Sequence, residues 1–166
     1  MLLTIFLSVV FCAAISLMLL SAVAFIQNEK FFSSAPKEAR ELIQPREKEL
    51  FHGARIIGWT MMCFAVVLIL GVVVIAIWDG FRSGFTFWQF FHRFVLIFTI
   101  YKLYDMVCFD YFLLMRFHFF QFYYPEVGSV YPLQKYGFNI KSQLLKLLVI
   151  FPAASALAAW ICTLFQ

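Results

Sequence analysis

The alternation of oily and polar stretches divides the chain into four long apolar segments. Residues 2–26, LLTIFLSVVFCAAISLMLLSAVAFI, and residues 56–78, IIGWTMMCFAVVLILGVVVIAIW, carry no charge. Residues 88–115, WQFFHRFVLIFTIYKLYDMVCFDYFLLM, are apolar but interrupted by charges. Residues 144–165, LLKLLVIFPAASALAAWICTLF, are charged only at Lys146. A helix needs about 20 mostly apolar residues to cross ~30 Å of hydrocarbon, so each segment predicts a span. The expected fold is all-α: a polytopic membrane protein with four transmembrane helices in one domain over residues 1–166, and a short cytoplasmic helix between the first two. Ala22-Val23-Ala24 matches an A-x-A cleavage site, but no basic region precedes it and the apolar run is too long for a signal peptide. The first segment is expected to be a retained span.

The connecting segments suggest an orientation. Loop 27–55 holds Lys30, Lys37, Arg40, Arg46, Lys48 and Arg55, and loop 116–143 holds Arg116, Lys135 and Lys141. The 79–87 loop holds only Arg82. Basic loops stay cytoplasmic, which predicts 27–55 and 116–143 inside and both termini outside the cell membrane. In the first loop, Ser33 or Ser34 can cap a helix, Pro36 suits its first turn, and Lys37 and Glu41 can pair at i,i+4. Pro45 interrupts, and a helix is expected to restart through REKELFHGAR into the second span. The 79–87 segment is short and aromatic, with Gly80 and Gly84 in G-x-x-x-G spacing outside any apolar 20-mer, a weak dimerisation signal. The second basic loop is broken by Pro125, Gly128, Pro132 and Gly137. Its aromatics predict a segment lying along the membrane surface or folded under the bundle.

Composition strengthens the membrane reading. Hydrophobic residues make up 64% of the 166 and charged residues 13%, and mean hydropathy is +0.89. A soluble domain of this length could not bury so much apolar surface, and disorder is excluded for the same reason. The net charge of +4 comes without a basic run interleaved with aromatics, so no nucleic-acid partner is expected. The partners expected are the lipid bilayer and either a second copy, as a homodimer, or a partner subunit. Cys12, Cys63, Cys108 and Cys162 form no C-x-x-C pair. Zinc and redox frameworks are unsupported, and no cofactor is implied.

The third segment carries the candidate chemistry. Lys102 lies about 21 Å along a helix from both Trp88 and Arg116, near the bilayer centre. Placing a Lys or Asp there costs roughly 2.5–3.5 kcal/mol, so partners inside the protein are expected. On an α-helical wheel His92, Thr99, Lys102, Asp105, Asp110 and Arg116 share an arc of about 140°. Lys102 and Asp105 can pair at i,i+3, while Asp110 must find its interaction in water or a neighbouring loop. These residues are the candidate substrate- or proton-binding set. A structural ion pair is the competing reading. In the fourth segment PAASALAA places Ala154 and Ala158 at small-xxx-small spacing for close packing, and Pro152 is expected to kink the helix.

At the predicted inner boundary, Arg116, His118, Glu126 and His52 form a candidate headgroup or acid–base site. No H-x-x-x-H or H-E-x-x-H spacing supports a metal, and hydrolase, P-loop and dinucleotide signatures are absent. No family motif is matched, and no catalytic residue is assigned. Three functions compete: a small ion- or proton-coupled transporter or permeation module, a membrane-embedded enzyme acting on a lipid or other hydrophobic substrate, and a non-catalytic subunit of a larger membrane complex. The depth of Lys102 and Asp105 favours the first.

Overall fold

A computed structural model describes residues 1–28, 31, 37–44, 46, 49–130 and 140–165, excluding the side chains of 37, 38, 40 and 140. The described residues contain helices and turns and no strand. The expected caps at Ser33, Ser34 and Pro36, the Lys37–Glu41 pair, and the breaks at Pro45, Pro132 and Gly137 lie outside this description.

Among the described residues three helices are long and apolar enough to cross a membrane: Leu2–Ile26, Ala54–Arg82 and Lys141–Leu164. The first is an α-helix, α1 (Leu2–Leu20), that widens into a π turn over Ser21–Ile26. A short α2 (Lys37–Leu42) follows. The expected restart through residues 46–53 does not form a helix in its described part. Instead Gly53, at φ +86°, turns the chain into α3 (Ala54–Arg82), and the Glu49 carboxylate accepts its N–H at 2.8 Å. The helix α3 runs past residue 78 to Arg82, so the first four residues of the expected 79–87 loop are helical.

A tight turn joins α3 to α4 (Phe87–Tyr104). Gly84, at φ +61°, occupies the left-handed position that ends α3. Phe85 N–H donates to Gly80 O at 2.9 Å and Gly84 N–H to Phe81 O at 3.2 Å, the paired bonds of a Schellman ending. The Gln89 side chain then reaches back to accept the Thr86 N–H at 2.8 Å, which starts α4. The two glycines read as a dimerisation signal thus have tasks within the chain. Gly84 turns it, and at Gly80 an added Cβ would lie 2.2 Å from the Phe90 ring.

Beyond Tyr104 the helix begun by α4, the third long helix in chain order, continues unbroken, in π geometry, over Asp105–Arg116. Left-handed non-glycine residues end both it and the first helix: His118 at φ 52° and Gln27 at φ 53°. The second basic loop contains α5 (Phe119–Tyr123) and a 3-10 turn over Pro125–Ser129. The last helix comprises α6 (Ile140–Leu145), a π turn over Lys146–Ile150, and α7 (Phe151–Leu164). Pro152 explains that turn. It lacks an N–H and its ring crowds the carbonyl four residues back, and Phe151 N–H bonds instead to Lys146 O.

The chain forms two compact units, one of Met1–Ala14, Val67–Asp105 and Asn139–Gln166, the other of Ile15–Val66 and Met106–Phe138. In the first, α4 packs along α7. Phe98 of α4 stacks on Phe151, with ring centroids 5.4 Å apart, while Phe11 of α1 meets Phe98 and Tyr101 edge-on. The small residues buried on α7 are Ser155, Ala159 and Cys162. Ala154 is exposed and Ala158 half-buried, so the close-packing face is shifted one position from the expected pair. In the second unit, Val23, Ala39, Leu114, Tyr124 and Val127 form one apolar cluster and Ala22, Ile26 and Met62 another.

The exposed surface is compatible with a multi-pass membrane protein. On α3, Val67, Leu70 and Val74 are each about 60% exposed, an apolar face a soluble monomer would not present. All four tryptophans, Trp59, Trp78, Trp88 and Trp160, are exposed. Trp59 and Trp78 lie about 28 Å apart along the axis of α3, close to the thickness of a hydrocarbon core bounded by aromatic belts.

Candidate functional site

The first unit holds the charged pair. Lys102, in the last turn of α4, is 4% exposed. Its ammonium donates to Asp105 Oδ2 one turn on, and the Asp105 side chain is 19% exposed. The α-helical step holds through Tyr104, so His92, Thr99 and Lys102 do share a flank of α4. From Asp105 onward the i→i+5 pattern changes the angle per residue. The wheel positions expected for Asp110 and Arg116 therefore do not carry over. Thr99 is half-buried beside this flank.

His92 is exposed, and its Nδ1 lies 2.6 Å from Trp88 O. A carbonyl only accepts, so Nδ1 carries the proton in this contact and Nε2 is left to take up a second one. His92 lines an open cleft of about 220 Å³ together with Met1, Thr4, Phe85, Gln89, Arg93 and Leu96.

The wall of this cleft contains a charged group not singled out from the sequence. Arg93 is 6% exposed. Its Nη2 donates to Asp79 Oδ2 at 2.7 Å and its Nη1 to Ala76 O at 2.8 Å, and its guanidinium lies 4.2 Å from the centre of the Phe85 ring. Its Nε has no hydrogen-bond partner among the described residues. Arg93 therefore clamps α4 to the last turns of α3 across the four-residue turn. The sequence signal was available: Asp79 and Arg93 flank a glycine-punctuated turn with opposite charge. What hid it was the assignment of Asp79 to a loop.

The second unit holds the remaining candidates. Asp110 is half-buried within the π segment, while Arg116, His118 and His52 are exposed. Glu126 is engaged by Arg46, whose Nη2 donates to Oε2 at 2.7 Å and Oε1 at 3.0 Å. The same Nη2 donates to Tyr123 O at 3.2 Å, and the guanidinium lies 5.3 Å from the centre of the Tyr124 ring. Arg46, counted from the sequence only as loop charge, thus ties the two basic loops together. Tyr124 is 1% exposed. Burial pushes its phenol pKa up to about 12; the Arg46 charge opposes this and Glu126 adds to it. Among the described residues no three His, Cys, Asp or Glu side chains are placed to hold a metal ion.

A buried ammonium–carboxylate pair is neutral as a unit, tolerates an apolar surround, and exposes its carboxylate in part. Comparison with known proteins yields no matching family model, no similar curated sequence and no similar solved structure.

Proposed function

We propose that this is a four-span membrane protein that passes ions or protons, with Lys102 and Asp105 as the charge-bearing site of its third span. In this topology the charged helix from Phe87 to Arg116 also crosses, as the third of four spans, α2 and the loops 27–55 and 116–143 are cytoplasmic, and both termini lie outside the cell membrane. The observation that carries the reading is the burial of the Lys102 ammonium against Asp105 in a helix otherwise rich in apolar residues. Ionisable groups are retained at such depth when they serve a polar pathway. His92, in an open cleft on the same flank of α4, is the entry group; Thr99 lies between it and the pair. Four helices make a thin wall for a pathway, so a second copy completes it as a homodimer.

The test is flux in proteoliposomes. Purified protein should dissipate an imposed proton or cation gradient. Lys102→Gln combined with Asp105→Asn, which keeps the site neutral, should abolish the flux while the helical circular dichroism persists. Undiminished flux in that double variant overturns the assignment.

A second reading, a non-catalytic membrane subunit, draws on one observation: Lys102 is neutralised within its own helix, which a static scaffold requires as much as a conductor does. Under it, the purified chain conducts nothing and a partner subunit co-purifies. The enzyme reading would need Arg116, His118, Glu126 and His52 to act on one substrate. The engagement of Glu126 by Arg46 weighs against it.

A further inference from the structure

The loop after the third long helix presents two aromatic rings outward. Phe122 is 78% exposed and Phe117 69%. Their exposure is built into the fold. Phe119, Phe120 and Tyr123, on the other side of the same short segment, pack against the cluster of Val23, Ala39, Leu114, Tyr124 and Val127. Arg46 bonds to Tyr123 O and Glu126 and so fixes the segment from the first loop. The left-handed His118 sets the direction in which the chain leaves the helix. One set of aromatics is thus anchored, and Phe117 and Phe122 are the side chains left facing away.

What covers them is indicated by their neighbours. Phe117 stacks on Phe112, with centroids 6.3 Å apart, and Tyr111 and Phe112 are themselves exposed near the end of the long helix. The apolar surface of that helix thus continues onto the loop, and beside it stands the exposed cation of Arg116. Rings that extend a lipid-facing surface, bordered by a basic group, fit the boundary between acyl chains and anionic headgroups.

We infer that Phe117 and Phe122 form an aromatic lip inserted into the surface of the bilayer, with Arg116 against anionic headgroups. The inference rests on the third long helix crossing the membrane. The lip fixes the depth and rotation of the end of that helix.

Spin labels test this directly. Phe117→Cys and Phe122→Cys, each in a Cys63→Ala chain with the unmutated Cys63→Ala protein as background, are labelled and reconstituted in vesicles of phosphatidylcholine with phosphatidylserine. Val67→Cys on α3 serves as the lipid reference. Molecular oxygen partitions into acyl chains and a nickel chelate into water. At both lip positions oxygen collisions should exceed nickel collisions, as at Val67. Removing phosphatidylserine should shift the ratio toward nickel, and Arg116→Gln should abolish that shift. Nickel exceeding oxygen at 117 and 122 with Val67 still in lipid overturns the lip alone. Low collision with both probes means that protein covers the rings, which also overturns it. If Val67 itself collides mainly with nickel, the membrane reading fails rather than the lip. No response to phosphatidylserine overturns the role given to Arg116.

Discussion

Replacing Lys102 by Met strands the Asp105 carboxylate, and replacing Asp105 by Asn strands the ammonium. Breaking a buried pair from one side costs about 3–5 kcal/mol, whereas replacing both partners by uncharged groups is often close to neutral. Each single variant should therefore unfold more readily than the double variant in mixed-detergent titrations. Equal or additive losses would mean that the pair is not coupled. Tyr124 offers a second residue-level prediction. A phenol raised from 10.0 to about 12 binds its proton more tightly in the folded state. Folding stability should therefore be level below about pH 10 and fall as pH rises from there toward 12, because the unfolded chain gives up that proton first. Ultraviolet titration of the native protein against Tyr124→Phe should reveal one phenol ionising late. At this scale the sequence disclosed Lys102 and Asp105 because their spacing on a helix suffices to pair them. It did not disclose Arg93 with Asp79, or Arg46 with Glu126, because those pairs depend on how a turn and two loops bring distant positions together.

At the level of elements, the α3–α4 hairpin is the most constrained feature. Gly80→Ala drives a methyl group into the fully buried Phe90 ring, and overpacking of this kind costs about 1–3 kcal/mol. Gly84→Ala must hold φ +61° at a cost of roughly 1–2 kcal/mol. Both should lower the thermal midpoint in detergent, and at least one should also weaken the Arg93–Asp79 clamp they frame. Unchanged midpoints would remove the hairpin from the account. Helix existence was readable from the apolar runs, and the boundary error at residue 78 had a physical cause. Asp79, Gly80 and Arg82 look like loop residues by composition, yet Gly80 is kept small by Phe90 and Asp79 is neutralised by Arg93. The π segments were less legible. Pro152 accounts for the one over Lys146–Ile150, but residues 105–116 contain neither Pro nor Gly, and nothing in the local sequence explains the switch at Asp105. The angular placement of Asp110 was lost with it.

For the whole molecule, the long uncharged runs made the helical fold and the three helices apolar enough to cross a membrane legible. The crossing of the third helix is the part on which the remaining account turns. Its charges keep it apart from the three plainly apolar helices, yet its clamp to α3 and its buried Lys102 are compatible with a crossing. If it crosses, the turn before it and the loop after it face opposite compartments. The direct measurement is thiol labelling of Ser83→Cys and His118→Cys, each in a Cys63→Ala chain in intact cells, with a membrane-impermeant maleimide applied before and after permeabilisation. Ser83→Cys should react in intact cells and His118→Cys only after permeabilisation. Labelling of both from the same side would place the charged helix along the membrane surface and contradict an intramembrane site at Lys102.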